Sequence, residues 1–266
     1  LEGFLRHGVR TLGVDPARNL AELGSSQVER YVGFFDSRSA RDIRDRWGRA
    51  AVVTATNTFP HIPRLHDFVR GLDVVLAPGG AFVIEAHYLV DILEQGAFDT
   101  IYHEHVSYWA LEPMRRLFAA HGFDVVNAER LPIHHGQLRA TVMRAGEGEA
   151  QDSVEEAVAA EHALGVDRLE TFQRFADGVR RIKTDLHATL TELRAKRKRV
   201  VGYGAPAKGN TLMAFLELGP ETIAYIADRS ELKQGRFTPN VPIPVVPPER
   251  LLQDQPDYVL LLAWNF

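Results

Sequence analysis

The chain contains no cysteine, which excludes disulfides, thiolate-bound metal and cysteine nucleophiles within it. It also has no surplus of positive charge: 31 Lys and Arg stand against 35 Asp and Glu, a formal net charge of -4. That balance offers no basic field to nucleic acid or another polyanion. No run approaches the roughly 18 apolar residues of a membrane span, and the N-terminus lacks the basic-then-apolar order of a signal peptide. The cytoplasm is the expected compartment, with neither a membrane nor a nucleic-acid partner, and the sequence leaves the oligomeric state open. What is present is the composition of a globular protein, 45% hydrophobic and 25% charged over 266 residues. That length suits two domains, each with its own core. Leu1-Glu2-Gly3-Phe4-Leu5-Arg6 reads as mid-helix without a cap, and residues 258–266 read as a strand cut just past its end. A fragment, truncated at both ends, is expected.

The densest chemistry lies in Tyr102-His103-Glu104-His105-Val106-Ser107-Tyr108, with two imidazoles, a carboxylate and two phenols in seven residues. A zinc-protease helix needs two His four apart with Glu after the first, and His-Glu-His fails that pattern. A structural metal clip or a self-satisfying polar loop stays open. So does general acid–base chemistry, in which His titrates near neutrality and a neighbouring carboxylate or phenol orients it. His103 and His105 share a face in an extended segment, with Glu104 on the other, whereas a loop imposes no such order. Adjacent His134 and His135 are poorly placed to chelate one ion and read as pocket lining before a strand-like run at 137–144. No metal site is expected in this chain.

In the first half, Thr11-Leu12-Gly13-Val14-Asp15 reads as a buried parallel strand ending in an acid. Tyr31-Val32-Gly33-Phe34-Phe35-Asp36 repeats the format, and residues 50–56 form a third strand that opens into Asn57-Thr58-Phe59-Pro60-His61. A helical pattern covers 64–76, and the turn Leu76-Ala77-Pro78-Gly79-Gly80 leads into a strand at 81–86. Alternation of this kind predicts a doubly wound sheet. Asp15 before Pro16 and Asp36 before Ser37 each have a second reading as helix caps. Their recurrence with Asn57 at successive strand ends marks one sheet edge, where carboxylates would accept ribose hydroxyls or an adenine amino group.

The two acids and the Leu-Ala-Pro-Gly-Gly turn together resemble a class I S-adenosylmethionine-dependent methyltransferase. The stretch 98–108, with Leu131-Pro132-Ile133-His134-His135-Gly136-Gln137-Leu138-Arg139, is similar more narrowly to sugar C-methyltransferases of antibiotic biosynthesis, which act on nucleotide-linked ketodeoxysugars. The resemblance spans nearly the whole chain. It implies S-adenosylmethionine as cofactor, held by Asp15, Asp36 and Asn57, and a carbon next to a sugar ketone as the methyl acceptor. It assigns the base to His105, with Tyr102 and Glu104 positioning it or binding the enolate oxygen, and brings His61 to the same pocket. Two family features have no counterpart here: the Gly-rich loop after the first strand, and an N-terminal lobe that binds zinc through cysteines.

The methyltransferase domain is expected at 1–148, followed by connecting helices at 149–199. From Leu169, apolar residues recur at three and four through Leu193, an amphipathic helix, with basic Arg194 to Arg199 at its end matching the helix dipole. A second Rossmann-like α/β domain is expected at 200–266. It opens with Gly202-Tyr203-Gly204-Ala205-Pro206-Ala207, a G-x-G-x-x-A turn in which the glycines let the backbone approach a phosphate at the helix N-terminus. A tight turn with close helix packing explains the same glycines. Asp228 stands where a ribose-binding acid is expected, and Lys208, Lys233 and Arg236 are candidate diphosphate contacts. In the resembling family this domain holds the nucleotide of the sugar, usually thymidine diphosphate. Two other functions stay open: a non-catalytic nucleotide-sugar-binding fragment, and a nicotinamide-dependent oxidoreductase that would leave the first-half acids without a use.

Overall fold

Glu2–Leu5 makes one short helix, α1, and the apolar run after it forms strand β1 (Leu12–Asp15) in the computed structural model, which describes residues 1–20 and 26–264. β1 pairs in parallel with β2 (Glu29–Val32), setting Asp15 beside Val32. The run 31–36 is therefore not a strand to its end. Asp36 instead caps α2 (Ser37–Trp47): its Oδ1 accepts the N–H of Arg38 at 3.0 Å and of Ser39 at 2.8 Å, while the Ser39 hydroxyl accepts the Asp36 N–H at 2.8 Å. This reciprocal box satisfies N–H groups that a helix start otherwise leaves unpaired.

β3 (Ala50–Thr56) and α3 (Leu65–Val75) lie where the apolar patterns put them. β4 (Leu76–His87) absorbs the Pro-Gly-Gly turn as an irregularity, its register against β3 slipping between Ala50–Leu76 and Val52–Ala81. A Cβ on Gly80 would come within 2.9 to 3.2 Å of three carbonyl oxygens, those of Ala77, Ala50 and Ala51, so the slip needs glycine there. Next come α4 (Leu89–Gln95), α5 (Leu111–Ala119), β5 (Phe123–Leu131) and β6 (Gln137–Arg144). The sheet order is β3-β4-β6-β5, and β1 with β2 forms a two-stranded sheet among the described residues. Both pieces line one helical layer, since Leu12, Tyr31 and Val53 pack around Ala40, Ile43 and Val75. The other core centres on fully buried Phe59, whose ring lies 5.0 to 6.2 Å from those of Phe68, Phe82, Trp109 and Phe118.

After α6 (Asp152–Leu164) comes the long helix α7 (Leu169–Ala195). Only part of its apolar stripe is covered. Leu186, Leu190 and Leu193 pack on the core formed by Val200, Met213, Ile226 and Leu262, whereas Leu169 and Phe172 are exposed. β7 (Val200–Tyr203), α8 (Ala207–Phe215), β8 (Ile226–Ala227), β9 (Val245–Val246), α9 (Glu249–Asp254) and β10 (Tyr258–Leu261) complete the chain. They build a parallel sheet in the order β10-β7-β8-β9. Its inner strands β7 and β8 are largely buried, as in Rossmann-like sheets, while the edge strand β10 is largely exposed.

The chain divides into two units, each discontinuous in sequence. Unit 1 comprises Leu1–Ala86, Trp109–Arg130 and Leu138–Ala160; unit 2 comprises His87–Tyr108, Leu131–Gln137 and Glu161–Phe266. The His-rich stretch thus groups with the C-terminal α/β segment. Among the described residues no helix is long and apolar enough to cross a membrane.

Candidate active site

Residues 101–108 have no repeating backbone structure, and the order within them comes from one turn and one side chain. The His105 N–H donates to the Tyr102 carbonyl at 3.0 Å, and His105 Nδ1 lies 2.8 Å from the Thr100 carbonyl oxygen. A carbonyl only accepts, so Nδ1 carries the hydrogen and the lone pair of the neutral ring is on Nε2. The turn breaks the extended geometry in which His103 and His105 would share a face: His105 is half-buried, His103 and Glu104 exposed. Around the His105 ring stand Tyr102 at 4.5 Å, Tyr108 at 6.1 Å and His87 at 5.2 Å between centroids. Burial pushes the Tyr102 phenol up, helped by the Glu104 charge, and burial does the same for Tyr108. Both therefore present O–H donors at neutral pH.

His87 is the residue that the sequence reading missed. It ends β4, and the next residue, buried Tyr88, donates its hydroxyl to buried Glu161 at 2.8 Å. The available signal was its position: it directly follows a run readable as a strand, at the carboxyl end where ligands of parallel sheets gather.

In the β7–α8 turn, Gly204 adopts φ +82°, and a Cβ there would fall 2.6 Å from that of Ala263. A Cβ on Gly202 would meet Ile226 at 2.9 Å. Both glycines serve close packing whatever else they bind. Asp228 clamps the turn, with Oδ2 accepting the Ala205 N–H at 2.6 Å and Oδ1 the Ser230 N–H at 2.7 Å. Burial opposes its ionisation, but those two N–H groups and Lys233 outweigh it and hold the carboxyl below its ordinary range. Lys233 donates to the Ala205 carbonyl at 3.0 Å, and Arg236 is exposed. Lys208 sits in the first turn of α8, its ammonium 5.1 Å over the Trp264 ring.

In unit 1, Asp15 ends β1 exposed, its Oδ1 accepting the Ala17 N–H at 2.7 Å, and Asn57 follows β3 in a left-handed conformation with φ +52°. Asp36 Oδ2 lies 3.5 Å from Arg64. The N–H of Ser39, then that of Arg38, holds the Asp36 carboxyl below its ordinary range against the effect of burial. His61 closes a 3-10 turn, Phe59–His61, anchored by buried Phe59 and Pro60. Among the described residues, no group of three or more metal-ligating side chains stands together.

Residues 132–266 match the family model described as the C-terminal domain of C-methyltransferases, and residues 1–128 match a methyltransferase domain. The chain belongs to the C-methyltransferase family. It is 38% identical over 268 residues to C-methyltransferase NovU of Streptomyces niveus, an alignment that takes in all of this chain and 64% of that protein. The chain thus spans under two thirds of that relative's length. Among solved structures it is similar to a SAM-dependent methyltransferase of Anabaena variabilis, with 14% identity, a TM-score of 0.42, and 54% of this chain and 72% of that one covered. A second is the 1,6-didemethyltoxoflavin-N1-methyltransferase of Burkholderia thailandensis, with 15% identity, a TM-score of 0.39, and coverage of 54% and 65%.

For this C-methyltransferase-family chain, the donor set at the ends of β1 and β3 fits S-adenosylmethionine in part. Asp15 has the exposed strand-end carboxylate that ribose hydroxyls need. Asp36 is a helix cap first, with Oδ1 engaged and Oδ2 beside Arg64.

Proposed function

We propose that the protein transfers a methyl group from S-adenosylmethionine to a carbon next to the ketone of a 4-keto-deoxysugar linked to a nucleotide, with thymidine diphosphate as the carrier. The carrying observation is the bond from His105 Nδ1 to the Thr100 carbonyl, which leaves Nε2 as the basic nitrogen of a half-buried ring. A hydrogen next to a ketone is acidic enough for such a base. Nε2 takes that proton, and the electron pair passes into an enolate. S-adenosylmethionine, when bound, would supply its sulfonium methyl to the enolate carbon, the carbon–sulfur bond breaking so that S-adenosylhomocysteine leaves. Tyr102, kept as a phenol, is the donor suited to the enolate oxygen, and Glu104 positions the base or shares that oxygen.

On this proposal Asp15, Asp36 and Asn57 bind the donor. The Gly202–Gly204 turn, Lys208, Lys233 and Arg236 take the diphosphate, with Asp228 holding the turn that presents its N–H groups. The name of the relative from Streptomyces niveus supports carbon as the accepting atom.

The test separates proton removal from methyl transfer. With S-adenosylhomocysteine present, the wild-type protein in deuterium oxide should exchange the hydrogen next to the ketone of a thymidine diphosphate-linked 4-keto-deoxysugar. His105→Gln should slow that exchange about 10² to 10⁴-fold while the far-UV spectrum is unchanged. Exchange at the wild-type rate in the variant would remove His105 from this role.

A further inference from the structure

The nucleotide turn leaves an unused carboxylate beside it. Asp99 lies in the 3-10 turn Phe98–Thr100 and is 2% exposed. Its Oδ2 accepts the Trp264 indole N–H at 2.6 Å, while its Oδ1 is buried with no hydrogen-bond partner among the described residues. An unmade hydrogen bond on a buried oxygen is costly, more so on a charged one. The Trp264 ring is held in turn by His135, 4.5 Å away between centroids, whose Nε2 lies 3.1 Å from the Trp264 carbonyl oxygen. Lys208 has its ammonium over the same indole and makes no hydrogen bond or ion pair among the described residues. Unit 2 therefore brings together an ammonium held only over an indole ring, the first turn of a nine-residue helix and a buried carboxylate oxygen.

We infer that Asp99 is a specificity-determining residue that hydrogen-bonds a sugar hydroxyl of a substrate whose diphosphate is held by Lys208 and the start of α8. The inference rests on the nucleotide-sugar reading of unit 2. A hydroxyl is the group that suits Asp99, because it donates to an ionised carboxylate and accepts from a protonated one. Burial pushes the Asp99 carboxyl up, against Trp264, Lys208 and His135, and a hydroxyl suits it in either state. The sugar, rather than the ribose, is indicated by the chain itself. The residue after Asp99 is Thr100, whose carbonyl holds His105 Nδ1, and Phe98 before it packs on Phe215 of α8 with ring centroids 4.9 Å apart. One three-residue turn thus connects the phosphate-binding helix, the hydroxyl acceptor and the base.

Thymidine diphosphate and thymidine diphosphate-glucose, titrated calorimetrically into the wild-type protein, test this. The sugar-linked ligand should bind about tenfold tighter or more, the scale of a hydrogen bond to a charged group. Asp99→Asn, which keeps the shape of the side chain and replaces a carboxyl by a neutral amide, should cut the ratio severalfold without weakening thymidine diphosphate. Trp264→Phe frees Oδ2 but keeps the carboxylate, so it should retain the ratio, whereas Lys208→Met should weaken both ligands. A ratio unchanged in Asp99→Asn, an equal loss for both ligands there, or a wild-type protein indifferent to the sugar would each overturn the role of Asp99 and leave the nucleotide reading standing. If neither ligand bound the wild-type protein, the nucleotide reading itself would fall, and this role with it.

Discussion

At Gly136 the backbone around the candidate site has almost no freedom. Its φ is +105°, and a Cβ would fall 1.9 Å from Asp91 Cγ, which is backed by helix α4. Gly136→Ala should therefore destabilise unit 2 by roughly 1–3 kcal/mol or more, read as a lower urea midpoint at unchanged slope. The two residues before it, His134 and His135, are left-handed at φ +49° and +63°, so this is a strained run of three that holds the His135 ring on Trp264. Asp36 illustrates the opposite case, a residue whose local role is simple. Asp36→Ala should cost about 1 kcal/mol through the lost cap. Because the folded carboxyl titrates below its ordinary 3.8, the charged-state part of that contribution is present above pH 3.8 and disappears as pH falls through the folded value. An equal difference between wild type and variant at pH 7 and well below 3.8 would refute that account.

Among the elements, the β7–α8 turn depends on Asp228 as well as on its glycines. Both Asp228 oxygens accept backbone N–H groups, so Asp228→Asn sets an amide N–H₂ against a backbone donor. A loss of about 1–3 kcal/mol is expected, visible as a lower thermal midpoint. The folded carboxyl lies below its ordinary 3.8, so the stabilisation is held above that value and lost on acidification. The gap between wild type and variant should accordingly narrow below about pH 4. The same clamp bears on function: with the turn loosened, thymidine diphosphate should bind more weakly even though every candidate phosphate ligand is still present. Undiminished affinity in a destabilised Asp228→Asn would show that the turn needs no preorganisation to bind.

For the molecule as a whole, the division into two units predicts which amides each ligand protects. In hydrogen exchange, thymidine diphosphate at 100 times its Kd should add up to about 2.7 kcal/mol of protection to ligand-linked openings, centred on β7, the turn after it and the start of α8. S-adenosylhomocysteine should protect the ends of β1 and β3 instead. Protection by the diphosphate confined to β1–β2 would reverse the assignment of the two half-sites.

Much of this was legible in sequence because it is local. The run 50–56 became β3 to the residue, and the three-and-four spacing from Leu169 became α7, since periodicity and chain stiffness act within a few residues. Gly202 and Gly204 also stood in a turn whose need for glycine is set by its own φ and close neighbours. The seven-residue cluster at 102–108 pointed to a candidate site because imidazoles, phenols and a carboxylate rarely stand so densely. Long-range partners decided the rest. Which His105 nitrogen is basic depends on a carbonyl five residues back that only a turn brings near, and His87 joined the site through the end of a strand. Asp36 lost its strand-end position to a helix cap that competes for the same carboxylate. Asp99 and Trp264, 165 residues apart, form a pair that no spacing rule contains. Sequence alone determined most of the elements and the chemistry they carry; tertiary structure decided which oxygens and nitrogens are engaged, because their partners come from far along the chain.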